Sequence, residues 1–176
     1  MKWLMLAVCV VVALAAFGGT MAALGMFVPK WHVAARKARF RASRDEVWKA
    51  ITDIEGFPAW RKDVKKVERL PDRDGRPLWK EHGGQGAVTF ERVEAVPGER
   101  LVGRIADPDL PYGGTWTYEL ATADGGVELR ITERGEIYNP VFRFMSQFFD
   151  MNATIEEYLK ALGRKFGEDV AVAGVD

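Results

Sequence analysis

Between Trp3 and Val28 the chain carries no charged side chain. A helix of about 20 apolar residues is enough to cross the hydrocarbon of a bilayer, because it satisfies its own backbone hydrogen bonds. The run WLMLAVCVVVALAAFGGTMAALGMFV exceeds that length. Residues 1–29 therefore read as an N-terminal transmembrane anchor, leaving a globular domain over 30–170 and a short disordered tail over 171–176. A cleaved signal peptide is the rival reading, with Lys2 as the charged start, Leu4 to Phe17 as the apolar core and Thr20-Met21-Ala22 as a weak cleavage site. Apolar character continues through Ala23, Leu24, Met26, Phe27 and Val28, beyond any such cut, and favours the uncleaved anchor.

The flanks of this span bear on its orientation. Trp3 and Trp31 bracket it as interfacial anchors do. Lys2 precedes it, whereas Lys30, Arg36, Lys37, Arg39, Arg41 and Arg44 follow, so the positive-inside rule puts the globular part on the cytoplasmic side. The lone cysteine, Cys9, lies within the span and reads as a small membrane hydrophobe, which excludes a disulfide within the chain. His32 and His82 are the only histidines, too few for a histidine-rich metal site. With 25 basic against 25 acidic residues, no net field steers the protein towards nucleic acid. No cofactor is expected.

Beyond Pro29 the pattern changes. Residues 33–42 alternate as a half-buried strand, with Ala38, Phe40 and Ala42 on one side and Lys37, Arg39 and Arg41 on the other. Ser43 with Glu46 forms a capping box that opens a short helix with an apolar stripe of Val47, Trp48, Ile51 and Ile54. Gly56 and Pro58 end it beside Phe57 and Trp60, where a second short helical turn is expected. Six strand-like segments follow, at 64–70, 76–82, 87–96, 101–106, 115–122 and 127–137, separated by turns such as PDRDG at 71–75 and GGQG at 83–86. One long amphipathic helix is expected from about Asn139 to Glu168, with Asn139 as cap and Pro140 in its first turn. Strands joined by hairpin-length loops and then a helix indicate an α+β fold with an antiparallel sheet.

That order, carried by SRDEVWKAITDIEGFPAWRKDVKKVE at 43–68, GGTWTYEL at 113–120, ITERGEIYNP at 131–140 and the closing helix, resembles the START/Bet v 1-like (SRPBCC) superfamily and its polyketide cyclase/dehydrase-type members. The resemblance implies a helix-grip fold, in which a curved antiparallel sheet of about seven strands wraps a long C-terminal helix. It also implies that the space between them accepts a hydrophobic small molecule or lipid. Membrane-tethered relatives of this type are bacterial, which makes the bacterial inner membrane the expected location.

Short helices in such folds close one end of the cavity, a role for Phe57 and Trp60 as plug or as plain core. The alternation in TWTYEL puts Trp116 and Tyr118 on one sheet face. With Trp79, Phe90 and, from the long helix, Phe142, Met145 and Phe149, these residues line either a core or an apolar pocket. Leu129, Ile131 and Glu133 share a face, so Glu133 is either a buried carboxyl of raised pKa, fit for acid–base work or a polar ligand head, or half of a salt bridge with Arg92 or Arg104. His82, Glu81, Glu91 and Glu94 are further titratable groups on the strands, and none falls in a catalytic motif. Three functions remain open: a tethered binding protein for a lipid or other apolar metabolite, its basic strand face (Arg36, Lys37, Arg39, Arg41) resting on anionic headgroups; a cyclase- or dehydratase-like enzyme using a pocket carboxylate; and a non-catalytic structural or interaction domain whose cavity is filled by its own side chains.

Overall fold

The alternation along the strands decides which side of the sheet is buried. In a computed structural model describing residues 1–84 and 86–175, strand β1 (Trp31–Phe40) follows helix α1 (Lys2–Met26) and leads into α2 (Arg44–Thr52) and a 3-10 turn (Ile54–Ala59). Strands β2 (Val64–Arg73), β3 (Arg76–Gly83), β4 (Gly86–Val96), β5 (Arg100–Ile105), β6 (Tyr112–Ala123) and β7 (Gly126–Ile137) come next. The chain closes with α3 (Pro140–Ser146), α4 (Ala153–Lys165) and β8 (Val172–Gly174). The strands form one antiparallel sheet in the order β2-β3-β4-β5-β6-β7-β1-β8. The architecture is α+β, with α2 and α4 against one face of the sheet, as a helix-grip fold requires.

Local chemistry explains the elements. Ser43 accepts from the Glu46 amide while the Glu46 carboxylate takes the Ser43 amide, so the capping box forms in full. Asp74 and Gly75, at φ 52° and 74°, supply the two left-handed residues that a tight hairpin between β2 and β3 needs. In α4 the residues Ile155, Leu159 and Leu162, at spacings of four and three, show no exposure and pack on Leu129 and Ile131 of β7, which show none either.

Four details differ from the sequence expectations. The long closing helix is two helices: α3 ends at Ser146 and α4 starts at Ala153. Between them the Asp150 carboxylate accepts from the Asn152 amide, a local turn that competes with helix propagation. The sheet has eight strands because residues 172–174, expected in a disordered tail, pair with Arg36, Lys37 and Ala38 on the open edge of β1. Strand β1 itself begins two residues earlier than expected, at Trp31. Finally, the basic face is not free. Arg36 points to the helix side and pairs with Glu156 of α4 (3.0 Å), while Lys37 and Arg39 both meet Glu128 (3.5 and 3.1 Å). The glycine turn at 83–86 contains residue 85, which lies outside the described residues.

Two substitutions rank these contributions. Ile155→Ala empties a fully buried position and is expected to cost about 2–5 kcal/mol. Ser43→Ala removes only the cap and should cost about 1 kcal/mol. Thermal denaturation of the detergent-solubilised protein, reading the two variants side by side, checks that order.

Candidate functional site

The inward-facing rows of β1, β7 and β6 change character along the strands. Phe40 faces Val127, and next come Ala38, Leu129 and Leu120, and Arg36, Ile131 and Tyr118. After them stand Ala34, Glu133 and Trp116, and last His32, Gly135 and Gly114. Large side chains thus fill the middle of the grip, and in the final row the His32 imidazole takes the space over Gly135.

In the filled part, Tyr158 of α4 is the hub. Trp60, Tyr118 and Trp116 stand around it, with ring centroids 5.3, 5.6 and 6.1 Å away. Phe57 packs edge-on against Trp60 at 5.8 Å, so the aromatic cluster beside Pro58 seals this side of the grip. Deeper in, Trp79 stacks on Phe90 at 5.8 Å and its indole N–H donates to the Glu81 carboxylate at 2.9 Å. Arg61 completes the network. Its guanidinium pairs with Glu81 (3.0 Å) and Asp63 (2.6 Å) and lies over the rings of Phe57 and Tyr158. Burial opposes the Arg61 charge, but the Glu81 and Asp63 carboxylates outweigh it and raise its pKa. Burial also pushes the Tyr118 and Tyr158 hydroxyls above their ordinary range, so both stay protonated at neutral pH.

At the open end lies a cavity of about 200 Å³, walled by Val28, Pro29, Trp31, Ile137 and Met151, with His32 among its lining residues. Neither ring nitrogen of His32 makes a hydrogen bond within the protein, although both are buried. Its Nε2 stands 3.6 Å from Glu133 Oε1, just beyond hydrogen-bonding range. The imidazole lies across Gly135, where any Cβ would overlap the ring. Burial raises the pKa of Glu133, and His32 and the Trp116 indole counter it only in part. An imidazole with a carboxyl beside it, behind an apolar mouth, offers both donor and acceptor atoms to a polar ligand head. A second, larger concavity of about 650 Å³ lies on the outside of the sheet among Lys37, Arg39, Arg41, Glu128 and Glu168. Its walls mix these ion-paired side chains with Ala38, Val170, Ala171 and Ala173.

The residues expected to line one pocket therefore divide. Phe57, Trp60, Trp79, Phe90, Trp116 and Tyr118 do face the grip, where they occupy space instead of bounding it. Phe142, Met145 and Phe149 do not face it: they are 50, 38 and 63% exposed, because α3 turns away from the sheet and packs on α1. Glu133 has His32 for its neighbour and not Arg92 or Arg104. Arg92 donates to the Thr52 carbonyl, and Arg104 binds Glu91 on the outer face of the sheet. His82 pairs with Glu68 on the surface, and Glu94 with Arg100. His32 was not singled out from the sequence. Its place one alternation before Ala34 was the available signal, hidden by starting the strand at Val33. Among the described residues no group of three or more acidic, histidine or cysteine side chains is placed to hold a metal ion.

The raised pKa of Glu133 has a measurable consequence. The folded protein holds this proton more tightly than the unfolded chain, whose carboxyl titrates near the ordinary 4.5. The resulting stability is complete below that value and is lost as pH rises through the higher folded value. Glu133→Gln carries no titrating group. Its melting temperature should therefore gain on the wild type as pH rises above that ordinary value, by about 2–4 °C for each kcal/mol of shift. A difference that stays constant with pH contradicts the assignment.

With this geometry in hand, comparison with known proteins is informative. Residues 31–168 match the family described as polyketide cyclase / dehydrase and lipid transport. No curated protein matches the sequence significantly. Among solved structures, the chain is similar to the Zhui aromatase/cyclase from Streptomyces sp. R1128, with a TM-score of 0.66 and 16% identity over 77% of this chain and 93% of that one. It is also similar to a START superfamily protein from Mycobacterium smegmatis, with a TM-score of 0.61 and 16% identity over 76% and 96% of the two chains. The di-domain aromatase/cyclase BexL of the BE-7585A biosynthetic pathway gives a TM-score of 0.63 at 13% identity, covering 83% of this chain and 52% of that one. At these identities the similarity speaks for the fold. The family match spans strands β1 to β7, the 3-10 turn and both C-terminal helices, and the chain belongs to the polyketide cyclase/dehydrase and lipid-transport family of START-like proteins.

Proposed function

We propose that the protein is a membrane-anchored binding protein for a hydrophobic small molecule or lipid, held at the open end of the grip. The observation that carries this reading is the cavity of about 200 Å³ whose lining includes His32, with Glu133 behind it. Its volume is below the roughly 300–1,000 Å³ of pockets that swallow a whole ligand. The occupant is therefore a small molecule, or one end of a longer one whose remainder lies along the apolar rim. His32 and Glu133 favour a head with a hydroxyl, carbonyl or amide group. The fold supports this reading because it is a ligand-binding fold; among the described residues one helix, α1, is long and apolar enough to cross a membrane, and Val28, two residues past its end, lines the same cavity. We take α1 as an anchor in the bacterial inner membrane, with the grip on the cytoplasmic side as the flanking charges favour.

Glu133 supports a second reading. A carboxyl of raised pKa next to an imidazole can shuttle a proton, as a cyclase- or dehydratase-like enzyme requires. Against a deep binding cavity, the aromatic filling around Tyr158 favours a grip that is structural in its middle.

Mass spectrometry of the full-length protein purified in mild detergent tests the proposal. An apolar molecule with a hydrogen-bonding head should accompany the wild type. Ser146→Trp, which fills the cavity from its wall, should lower that load by roughly tenfold, as expected where affinity depends on shape fit. An empty wild type, or a load that Ser146→Trp leaves unchanged, contradicts it. Retained load with lost turnover in Glu133→Gln would favour the enzyme.

A further inference from the structure

The segment after β7 is unusual for the surface of a folded domain. From Asn139 to Phe149 the only charged residue is Arg143, and Phe142, Met145, Phe148 and Phe149 are 50, 38, 75 and 63% exposed. Isolated exposed hydrophobes are ordinary, but four together mark a surface meant to be covered.

We infer that α3 and the turn after it form a second, interfacial contact with the bilayer that α1 enters, so that the mouth of the His32 cavity opens at the lipid surface. This deepens the proposed function and rests on its anchor. Three observations point to lipid as the cover. First, α3 is built onto the end of α1. A Cβ at Gly25 would overlap the Pro140 carbonyl, and Arg143 Nη1 donates to the Val28 carbonyl at 3.3 Å, closing the end of the apolar run. Second, the depth is right. Gly25 lies in the last turn of α1, so α3 meets the span within about 5 Å of the helix end, and interfacial helices bury their apolar face about 5–10 Å deep. Third, Arg143, the one charge in α3, faces inward to Val28, while the aromatic residues of the rim carry the polar edge expected at headgroup level. There Lys30 pairs with Glu136 and sits over the rings of Trp31 and Tyr138 at 5.2 and 4.8 Å. Ser146, Gln147 and Met151, which line the cavity, belong to the same segment, so a ligand dissolved in the bilayer reaches His32 without crossing water.

Site-specific quenching in vesicles tests this. An environment-sensitive fluorophore is placed on the native Cys9 in α1, and separately on Phe148→Cys and Asp124→Cys in a Cys9→Ser background. Asp124 is exposed in the β6–β7 turn, at the far end of β7 from the cavity. The full-length variants are reconstituted in phosphatidylethanolamine and phosphatidylglycerol containing chain-brominated phosphatidylcholine. Quenching of roughly twofold or more at Cys9 and at Phe148, with none at Asp124, is the expected result for an interfacial segment beside a spanning helix. Quenching at Cys9 without quenching at Phe148 overturns the inference and leaves the anchor standing, including the case in which a second copy of the chain shields Phe148. No quenching at Cys9 removes the anchor and this inference together. Because Phe148 is 75% exposed, its replacement leaves the core intact, and circular dichroism checks that it does.

Discussion

The packing of α4 into the curved sheet sets everything else in this molecule. Ile155, Leu159 and Leu162 are wholly buried against β7, and that contact aims the inward positions of β1, β6 and β7 at the helix. Once those directions are set, the side chains at each row decide what the grip contains. Trp116 and Tyr118 meet Tyr158 and Trp60, and the middle is occupied. Room is left beyond His32, between the ends of β1 and β7 and the turn after α3, where Trp31, Ile137, Gln147 and Met151 line it. The ligand site proposed at the end of the grip thus follows from which positions the large side chains occupy.

Charge follows the same logic. A buried ion is stable only with partners around it. Inside the grip Arg61 has Glu81, Asp63 and two aromatic faces, and Arg36 has Glu156. These groups are satisfied and tie the sheet to its helices. The His32 imidazole is different: its Nε2 stands 3.6 Å from Glu133, neither ring nitrogen makes a hydrogen bond within the protein, and the residue lines the end cavity. Polar groups left under-bonded at a cavity wall are the ones free to bind something else.

Much of the fold was legible in the sequence, and the misses have physical causes. Ser43 and Glu46 announce a helix start by a reciprocal bond that depends only on three-residue spacing, so it could be read directly. The alternation of Trp116, Tyr118 and Leu120 likewise places them on the inner face. The break after Ser146 was hidden because Phe148, Phe149 and Met151 continue an apolar run, and apolar spacing does not say whether a residue faces protein or lipid. Arg36 was placed on the wrong face for want of its partner, Glu156, which lies far along the chain. The pairing of residues 172–174 with β1 is set by an open strand edge that only the assembled sheet reveals. For the site, Glu133 was visible by alternation, whereas His32 emerged only once the strand was seen to begin at Trp31.

The central claim is that any apolar ligand binds at the His32 end and not among the aromatic residues of the middle. Heteronuclear NMR of the full-length protein in nanodiscs, titrated with dodecanoic acid as a probe of an apolar chain with a hydrogen-bonding head, tests it most directly. The account predicts shifts at the His32 ring, with the Trp79 indole, held by Glu81 at 2.9 Å, unmoved. Shifts centred on Trp79 and Trp60, or none at His32, would contradict it.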